Sequence, residues 1–366
     1  MSYLRILFLL AIGLLLGTSP TLAANYAVGT CKPSLPSYAT ISAAVSEVPP
    51  GSTVLVCPGT YPEQVTIAQP LTLKGITSGN AGQAVITVPG SGLAVVPTGF
   101  EDPVAPVVHV TAGPVNISDI TVDGTGNTVG VYIFLTGIFY GSGSSGTVNE
   151  VTVRNLSNSG YTAGAWAEGR SATNESVTIE NSSFHDIDNT AVLTEGDNLL
   201  VTVKGNTMQA LGIQVQFYSS GGSLTANVIN GGYYGMFVAA REVTISGNTL
   251  ANQIYEGIHA TGGNTATSNK ISNAPLGIWD GGGGNTYKSN TITNAGVGIQ
   301  FNCNTPTVLS NTINDATAGL DNVPSGFSGA NSFNNVATLR TNCGSNAIHG
   351  PDLPAPHSGP LRAPAH

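Results

Sequence analysis

One asparagine recurs at a fixed interval over the second half of this 366-residue chain. Successive members of the series are 21 residues apart, and they are Asn206, Asn227, Asn248, Asn269, Asn290 and Asn311. Five equal intervals in succession indicate a solenoid, in which each repeat is one structural unit stacked on the previous one.

The repeats have the pattern of strands. Each repeat holds short apolar segments separated by Gly and Asn, and residues alternate within a segment, as in Val243-Thr244-Ile245. A period of two residues is typical of strands, and no repeat contains the ten or so residues at helical spacing that a helix needs. The series therefore predicts an all-β parallel β-helix, of about 9–11 coils over the whole chain.

In such a fold, equivalent residues of neighbouring coils lie about 4.8 Å apart. The recurring asparagines are therefore expected to form a hydrogen-bonded ladder at a bend. Asn suits a bend because it tolerates left-handed backbone angles and because its side-chain amide both donates and accepts. We interpret the ladder as structural.

The composition agrees with a folded chain that has few surface charges. Hydrophobic residues make up 41% of the sequence and charged residues only 8%, with 47 glycines and a formal net charge of −9. No basic run is present that could neutralise phosphates, so nucleic acid is not an expected partner.

Four regions follow from the pattern. Residues 1–23 have the basic start, apolar core and small-residue cleavage site of a signal peptide, and the apolar run is too short to favour a membrane anchor. Residues 24–64 are expected to hold a capping helix, within 37–48, and the first strand. Residues 65–345 hold the β-helix repeats, and residues 346–366 are a Pro-rich tail expected to be disordered. The mature protein is thus predicted to be secreted or periplasmic, free of the membrane and monomeric.

The four cysteines fit an exported protein. Cys31, Cys57, Cys303 and Cys343 allow three pairings, and none belongs to a C-x-x-C motif. Because two lie near each end, we favour Cys31–Cys57 and Cys303–Cys343, one disulfide at each terminus.

The N-terminal segment 38–75, YATISAAVSEVPPGSTVLVCPGTYPEQVTIAQPLTLKG, closely resembles the start of right-handed β-helix proteins of the pectin-lyase-like superfamily. In that superfamily a capping helix leads into a strand, a Pro-Gly-Thr-Tyr turn and a Leu-Thr-Leu-x-Gly coil. Together with the repeats, the resemblance covers about residues 38–345. It implies a right-handed β-helix, and it implies carbohydrate-active relatives that act mostly on polyuronates and related glycans.

No motif of a specific enzyme family accompanies this resemblance. The signature segments of pectin methylesterases, polygalacturonases, pectate lyases and mannuronan epimerases are absent. Another branch with this architecture matures copper centres, but the six His and three Met of this chain are not clustered.

An outward-facing row of side chains is the predicted ligand-binding surface. The residue after each Gly-aliphatic pair should point away from the core, because neighbours on a strand alternate faces. Aromatic rings, amides, an imidazole and a carboxylate would suit a glycan, although an inserted loop could equally cover these residues. The predicted row contains Gln214, Phe237, His259, Trp279, Gln300 and Asp321, continued upstream by Trp166 and Tyr132.

Glu168 and Glu195 are the predicted catalytic pair. They should face outward on adjacent coils, at a separation that suits a retaining glycosidase, with Arg170 balancing their charge or holding a uronate carboxylate. A one-residue error in the alignment would reverse every side chain, and solvated surface glutamates would show the same pattern.

No cofactor is predicted. His185, Asp186 and Asp188 form the densest group of acid–base residues, and the carboxylate oxygens of the two aspartates are of the kind that Ca²⁺ prefers. The bend that follows the ladder asparagine explains these polar residues equally well.

Two functions remain open from the sequence. The first is an exported β-helix protein that binds or cleaves a polysaccharide, as a lyase or a hydrolase, along the outward row. The second is a non-catalytic structural or adhesive solenoid, with metal-centre maturation as a weaker alternative.

Overall fold

The computed structural model describes residues 22–77, 83–99, 103–159, 161–170 and 175–344. These residues form an all-β right-handed parallel β-helix of about 12 turns with one short helix near its N-terminal end. The expected fold class is confirmed. The number of turns is slightly above the expected range because regular strands begin at Asn25, before the helix.

Each turn contributes a strand to three parallel sheets, which we call sheets A, B and C in the order in which a turn visits them. Sheet A consists of Asn25–Val28, Thr53–Val56, Leu71–Gly75, Val115–Ser118, Gly146–Asn149, Glu175–Glu180, the ends of Thr190–Lys204 and Ile213–Thr225, Val243–Ser246, Thr265–Thr267, Thr286–Lys288 and Thr307–Leu309. Ser37–Tyr38 pairs with the first of these strands.

Sheet B follows the bend that carries the recurring asparagine. It consists of Gly59–Pro62, Ala84–Thr87, Ile120–Asp123, Thr152–Leu156, Ser183–Ile187, Thr207–Ala210, Val228–Asn230, Thr249–Ala251, Lys270–Ser272 and the first residues of Thr291–Phe301, Thr312–Val323 and Ser332–Asn342.

Sheet C completes each turn. It consists of Val65–Ile67, Val104–Val110, Phe134–Tyr140, Thr162–Gly169, the first residues of Thr190–Lys204 and Ile213–Thr225, Tyr234–Val238, Glu256–Ala260, Leu276–Asp280 and the later residues of Thr291–Phe301, Thr312–Val323 and Ser332–Asn342. The inward side chains of the three sheets form one continuous apolar core.

The asparagine ladder lies inside the bend between sheets A and B. All six members are fully buried, and each side-chain Nδ2 donates to Oδ1 of the next member at 2.9–3.1 Å. The ladder continues to Asn331, one residue earlier in its repeat. The left-handed backbone belongs to the residue before each Asn, for example Ser268 with φ 56°. The conformational reason given above was therefore wrong, and the buried amide hydrogen bonds are what select Asn.

The glycine of each Gly-aliphatic pair is explained by close packing between turns. A Cβ atom on Gly277 would lie 2.6 Å from the backbone oxygen of Gly298 and 2.7 Å from Cγ2 of Ile292. The backbone angles of this glycine are ordinary, so space alone excludes a side chain. Gly235, Gly257 and Gly298 meet the same obstruction in their own turns.

Gly277→Ala is therefore expected to lower the free energy of unfolding by about 1–3 kcal/mol, because the added methyl group has to displace backbone. Gly90→Ala is the control, since a Cβ atom there meets nothing within 4 Å. Thermal or urea unfolding of the two variants measures the difference. Equal midpoints would contradict the packing explanation.

The helix α1 (Ile41–Glu47) packs its apolar side on the first turn, within the segment predicted to hold a cap. The carboxylate of Glu63 accepts from the first two backbone N–H groups of α1 at 3.0 and 2.9 Å. At the other end, Gln69 Nε2 donates to two backbone carbonyl groups at 2.9 and 2.7 Å. Side chains of the first turn thus satisfy both ends of the helix.

Two disulfides, Cys31–Cys57 and Cys303–Cys343, confirm the favoured pairing. Residues 1–21 and 345–366, which hold most of the predicted signal peptide and the predicted tail, lie outside the described residues. Among the residues that are described, no helix has the length and hydrophobicity needed to cross a bilayer.

Candidate functional site

The strand register of sheet C brings most of the predicted binding residues into one outward row. From the N-terminal side, Trp166 is in register with Leu193 on the next turn, and Leu193 is in register with Gln216 on the turn after that. The row then continues through Phe237, His259, Trp279, Gln300 and Asp321, one residue per turn. We call the part from Gln216 to Asp321 the sheet C row.

Two residues were assigned to this row wrongly. Gln214 is fully buried, and its amide exchanges two hydrogen bonds with the backbone of Ala210. Ile213 pairs with Tyr234, so Gln216 is the residue in register with Phe237. Tyr132 lies in the turn before its strand, with φ 68° and an exposed ring, and the upstream member of the row is Phe139, beside Trp166.

The upstream end of the row is covered. Trp166 is 1% exposed and packs against Phe134 and Phe139, with ring centroids 5.2 and 5.4 Å away. Val96, from the insertion that connects Ala84–Thr87 of sheet B to Val104–Val110 of sheet C, packs on the same cluster. The alternative that a loop covers these residues is thus correct for Trp166, which is closed to a ligand in this structure.

The downstream part of the row is a partly exposed stack of three rings. The His259 imidazole lies between the rings of Phe237 and Trp279, with both centroid distances 4.1 Å and interplanar angles of 20° and 28°. Both faces of the imidazole and one face each of the Phe237 and Trp279 rings are therefore occupied, so a ligand reaches this stack mainly at the ring edges. This geometry differs from the expected one, in which each ring would stack on a sugar.

A buried carboxylate positions the imidazole. Oε2 of Glu256, which is 4% exposed, lies 2.9 Å from Nδ1 of His259. Burial raises the pKa of the Tyr234 and Tyr255 hydroxyl groups, and the nearby Glu256 carboxylate raises both pKa values further. Their rings form an edge-to-face pair with centroids 5.2 Å apart. Sequence reasoning missed these tyrosines because they lie outside the repeated Gly-aliphatic position.

Glu168 and Glu195 lie side by side on adjacent strands of sheet C, two positions beyond Trp166 and Leu193. Glu168 is 2% exposed and accepts from the backbone N–H of Gly99 at 2.5 Å, whereas Glu195 is partly exposed. Burial raises the pKa of Glu168. The Gly99 hydrogen bond and the charge of Arg170 oppose this shift, and Glu175 adds to it.

The comparison with protein families agrees with this architecture. A family model described as a right handed beta helix region matches residues 107–271 and 211–353. The chain belongs to the right-handed β-helix family. No curated protein sequence matches it.

Several solved β-helix structures are similar to this β-helix. The A-module of mannuronan C-5 epimerase AlgE4 from Azotobacter vinelandii is 17% identical, with TM-score 0.41, over 82% of this chain and 90% of that one. The A-module of AlgE6 from the same organism is 18% identical, with TM-score 0.45, over 82% and 92%. A tailspike protein double mutant of E. coli bacteriophage HK620 is 12% identical, with TM-score 0.43, over 78% and 72%.

The last residue of the sheet C row has a buried carboxylate. Asp321 is fully buried and accepts from Gln300 Nε2 at 2.8 Å and from the Thr341 hydroxyl group. It therefore holds the Gln300 amide in place and is not itself exposed to a ligand.

The residues proposed for Ca²⁺ do not converge. His185 Nδ1 contacts Asp186 at 2.7 Å, while Asp188 accepts from Ser157 and from the backbone of Asn158 in the preceding turn. Over the described part of the chain, no three His, Cys, Asp or Glu side chains are grouped so that they could hold a metal ion.

A separate concavity of the β-helix lies at the corner between sheets B and C. This groove, of about 880 Å³, has an amide wall that includes Asn273 and Asn294 and a floor that includes Ala295 and Ala316. Its lining contains one carboxylate, Asp315, and no imidazole. We therefore place the candidate site on the sheet C row, where an imidazole, a paired carboxylate and aromatic rings converge.

Proposed function

We propose that the protein is exported and binds a polysaccharide along the sheet C row. The supporting observation is the uninterrupted succession of partly exposed Phe237, His259, Trp279 and Gln300 on four consecutive turns. Four rungs span roughly 14 Å at the spacing of parallel strands. An extended glycan lying parallel to the β-helix axis could contact every rung.

The chemistry of these side chains suits hydroxyl-rich ligands. The Gln300 amide both donates and accepts, and the imidazole of His259 offers its Nε2 atom, since Nδ1 is paired with Glu256. Because the rings stack on one another, we expect sugars to contact ring edges and these polar atoms rather than ring faces. The two disulfides support export, since disulfides persist mainly in oxidising compartments.

We further propose that the protein cleaves the bound polysaccharide and that Glu168 and Glu195 are the catalytic residues. Two carboxyl groups on adjacent strands, one with a raised pKa and one partly solvated, have the division of roles found in retaining glycosidases. Once a sugar has displaced the Gly99 contact that covers it, the buried Glu168 would protonate the leaving oxygen, and Glu195 would attack or stabilise the sugar. The alternative is a binding or structural protein without turnover.

Trp279→Ala is expected to weaken polysaccharide binding about tenfold, because it removes one edge of the ligand surface and one side of the His259 stack. Binding is measured by affinity electrophoresis or calorimetry against pectins, alginate and hemicelluloses. Thr249→Ala, an exposed change on sheet B, is the control and should bind as the wild type does. Wild-type affinity in the Trp279 variant, or no binding by the unchanged protein, would contradict the proposal.

A further inference from the structure

The sheet C row carries negative charge and almost no positive charge. The six strands that build this face from Ile213 to Val323 contain no Lys or Arg. Glu256 lies beside the row, three residues before His259 on the same strand, and Glu195 lies one turn upstream of the row and two positions further along its strand than Leu193. His259 is the sole basic side chain on these strands, and its Nδ1 atom is paired with Glu256.

The flanking cations of the described residues are engaged or lie off the row. The Arg340 guanidinium, on the last turn, donates to the backbone oxygens of Phe327 and Pro324 and lies over the Phe327 ring. Arg241 follows Val238 in the turn towards sheet A and is adjacent to Glu242. Arg170 lies upstream of the row, two residues beyond Glu168, which is in register with Glu195, and its charge acts on Glu168.

This charge distribution decides between the classes of polysaccharide. A polyuronate carries one carboxylate per sugar, so a chain aligned with the row would bring carboxylates near Glu256 and would meet no Lys or Arg on the six strands of this face. Like charges brought together in a partly desolvated site oppose binding and act as a selection against the wrong partner. An uncharged chain keeps the hydrogen bonds to Gln300 and His259 without this repulsion.

We infer that the sheet C row selects uncharged glycans over polyuronates and that Glu256, with Glu195, determines this selection. The inference rests on the proposed polysaccharide-binding function and specifies its substrate class. It departs from the polyuronates that the N-terminal resemblance implies.

The test uses two forms of one polymer. Highly methyl-esterified homogalacturonan and the same preparation after de-esterification share a backbone and differ in charge. At low ionic strength the wild type is expected to bind the esterified form at least about tenfold more tightly, and added salt should reduce this ratio through screening.

Variants identify the source of the selection. Glu256→Gln and Glu195→Gln should each lower the ratio at least about threefold by strengthening binding of the charged form. Glu195→Gln tests the charge effect independently if Glu256→Gln disturbs the His259 side chain. Glu180→Gln, a carboxylate removed from sheet A, should leave the ratio unchanged.

The outcomes separate the two proposals. Equal or tighter binding of the de-esterified polymer, with the loss caused by Trp279→Ala intact, would overturn the charge selection and leave the binding function standing. Binding to neither form, nor to uncharged xyloglucan or mannan, would overturn the binding function itself.

Discussion

Asn269→Ala is expected to lower the free energy of unfolding by about 3–5 kcal/mol, because it leaves buried polar groups without partners. Oδ1 of Asn269 accepts from the backbone N–H and from Nδ2 of Asn248 at 3.0 and 2.9 Å. Its Nδ2 donates to the Ile245 oxygen and to Asn290 Oδ1, both at 2.9 Å. Alanine removes all four hydrogen bonds, and the side chain of Asn269 is fully buried, away from bulk water.

Asn230→Ala is the matched control. Asn230 belongs to a second series of asparagines on the surface, and its Oδ1 accepts from Asn252 Nδ2 at 2.7 Å. Water can replace this exposed hydrogen bond, so the loss should stay within about 0.5 kcal/mol. Denaturant or thermal unfolding compares the variants. If the two changes cost the same, the buried ladder is not a major source of stability.

The fold was predictable from the sequence because a constant interval of 21 residues aligns the repeats without ambiguity. Each ladder asparagine fixes one residue per turn, and the alternation of strands then assigns neighbouring residues to the core or the surface. The same rule would have corrected the candidate site. Gln216 lies 21 residues before Phe237, whereas the residue chosen from the Gly-aliphatic pattern lies 23 before it.

Two other features of the site, the covering insertion and the ring stack, have no periodic pattern in the sequence. The insertion that carries Val96 and Gly99 reaches sheet C from a turn about 70 residues away in sequence, where it covers Trp166 and contacts Glu168. The stacking of Phe237, His259 and Trp279 depends on side-chain torsions that the register does not fix. Sequence reasoning could therefore place residues on a face, but it could not say which part of that face is open.

Glu168→Gln is expected to reduce the turnover of a cleaved polysaccharide at least about 100-fold, because the amide cannot protonate a leaving oxygen. Glu195→Gln should have a comparable effect, since the two carboxyl groups act on the same bond. Turnover is followed by release of reducing ends, and Glu180→Gln on sheet A is the control. Activity that survives both changes would exclude this pair. A wild-type protein that binds but cleaves nothing would exclude cleavage altogether.

The pH dependence links this activity to the burial of Glu168. Because burial raises its pKa, the carboxyl group keeps its proton above the usual range for Glu, and kcat/KM should fall as the pH rises through the raised value. The same shift favours the protonated folded state, so its contribution to stability is full below the unfolded pKa and is lost as the pH rises through the folded pKa. Glu168→Gln should abolish this stability change while its amide oxygen still accepts from Gly99. The variant should melt at the wild-type temperature at low pH, keep that melting temperature as the pH rises, and show no turnover at any pH. This result would show that the activity is lost because proton transfer is lost and not because the protein unfolds.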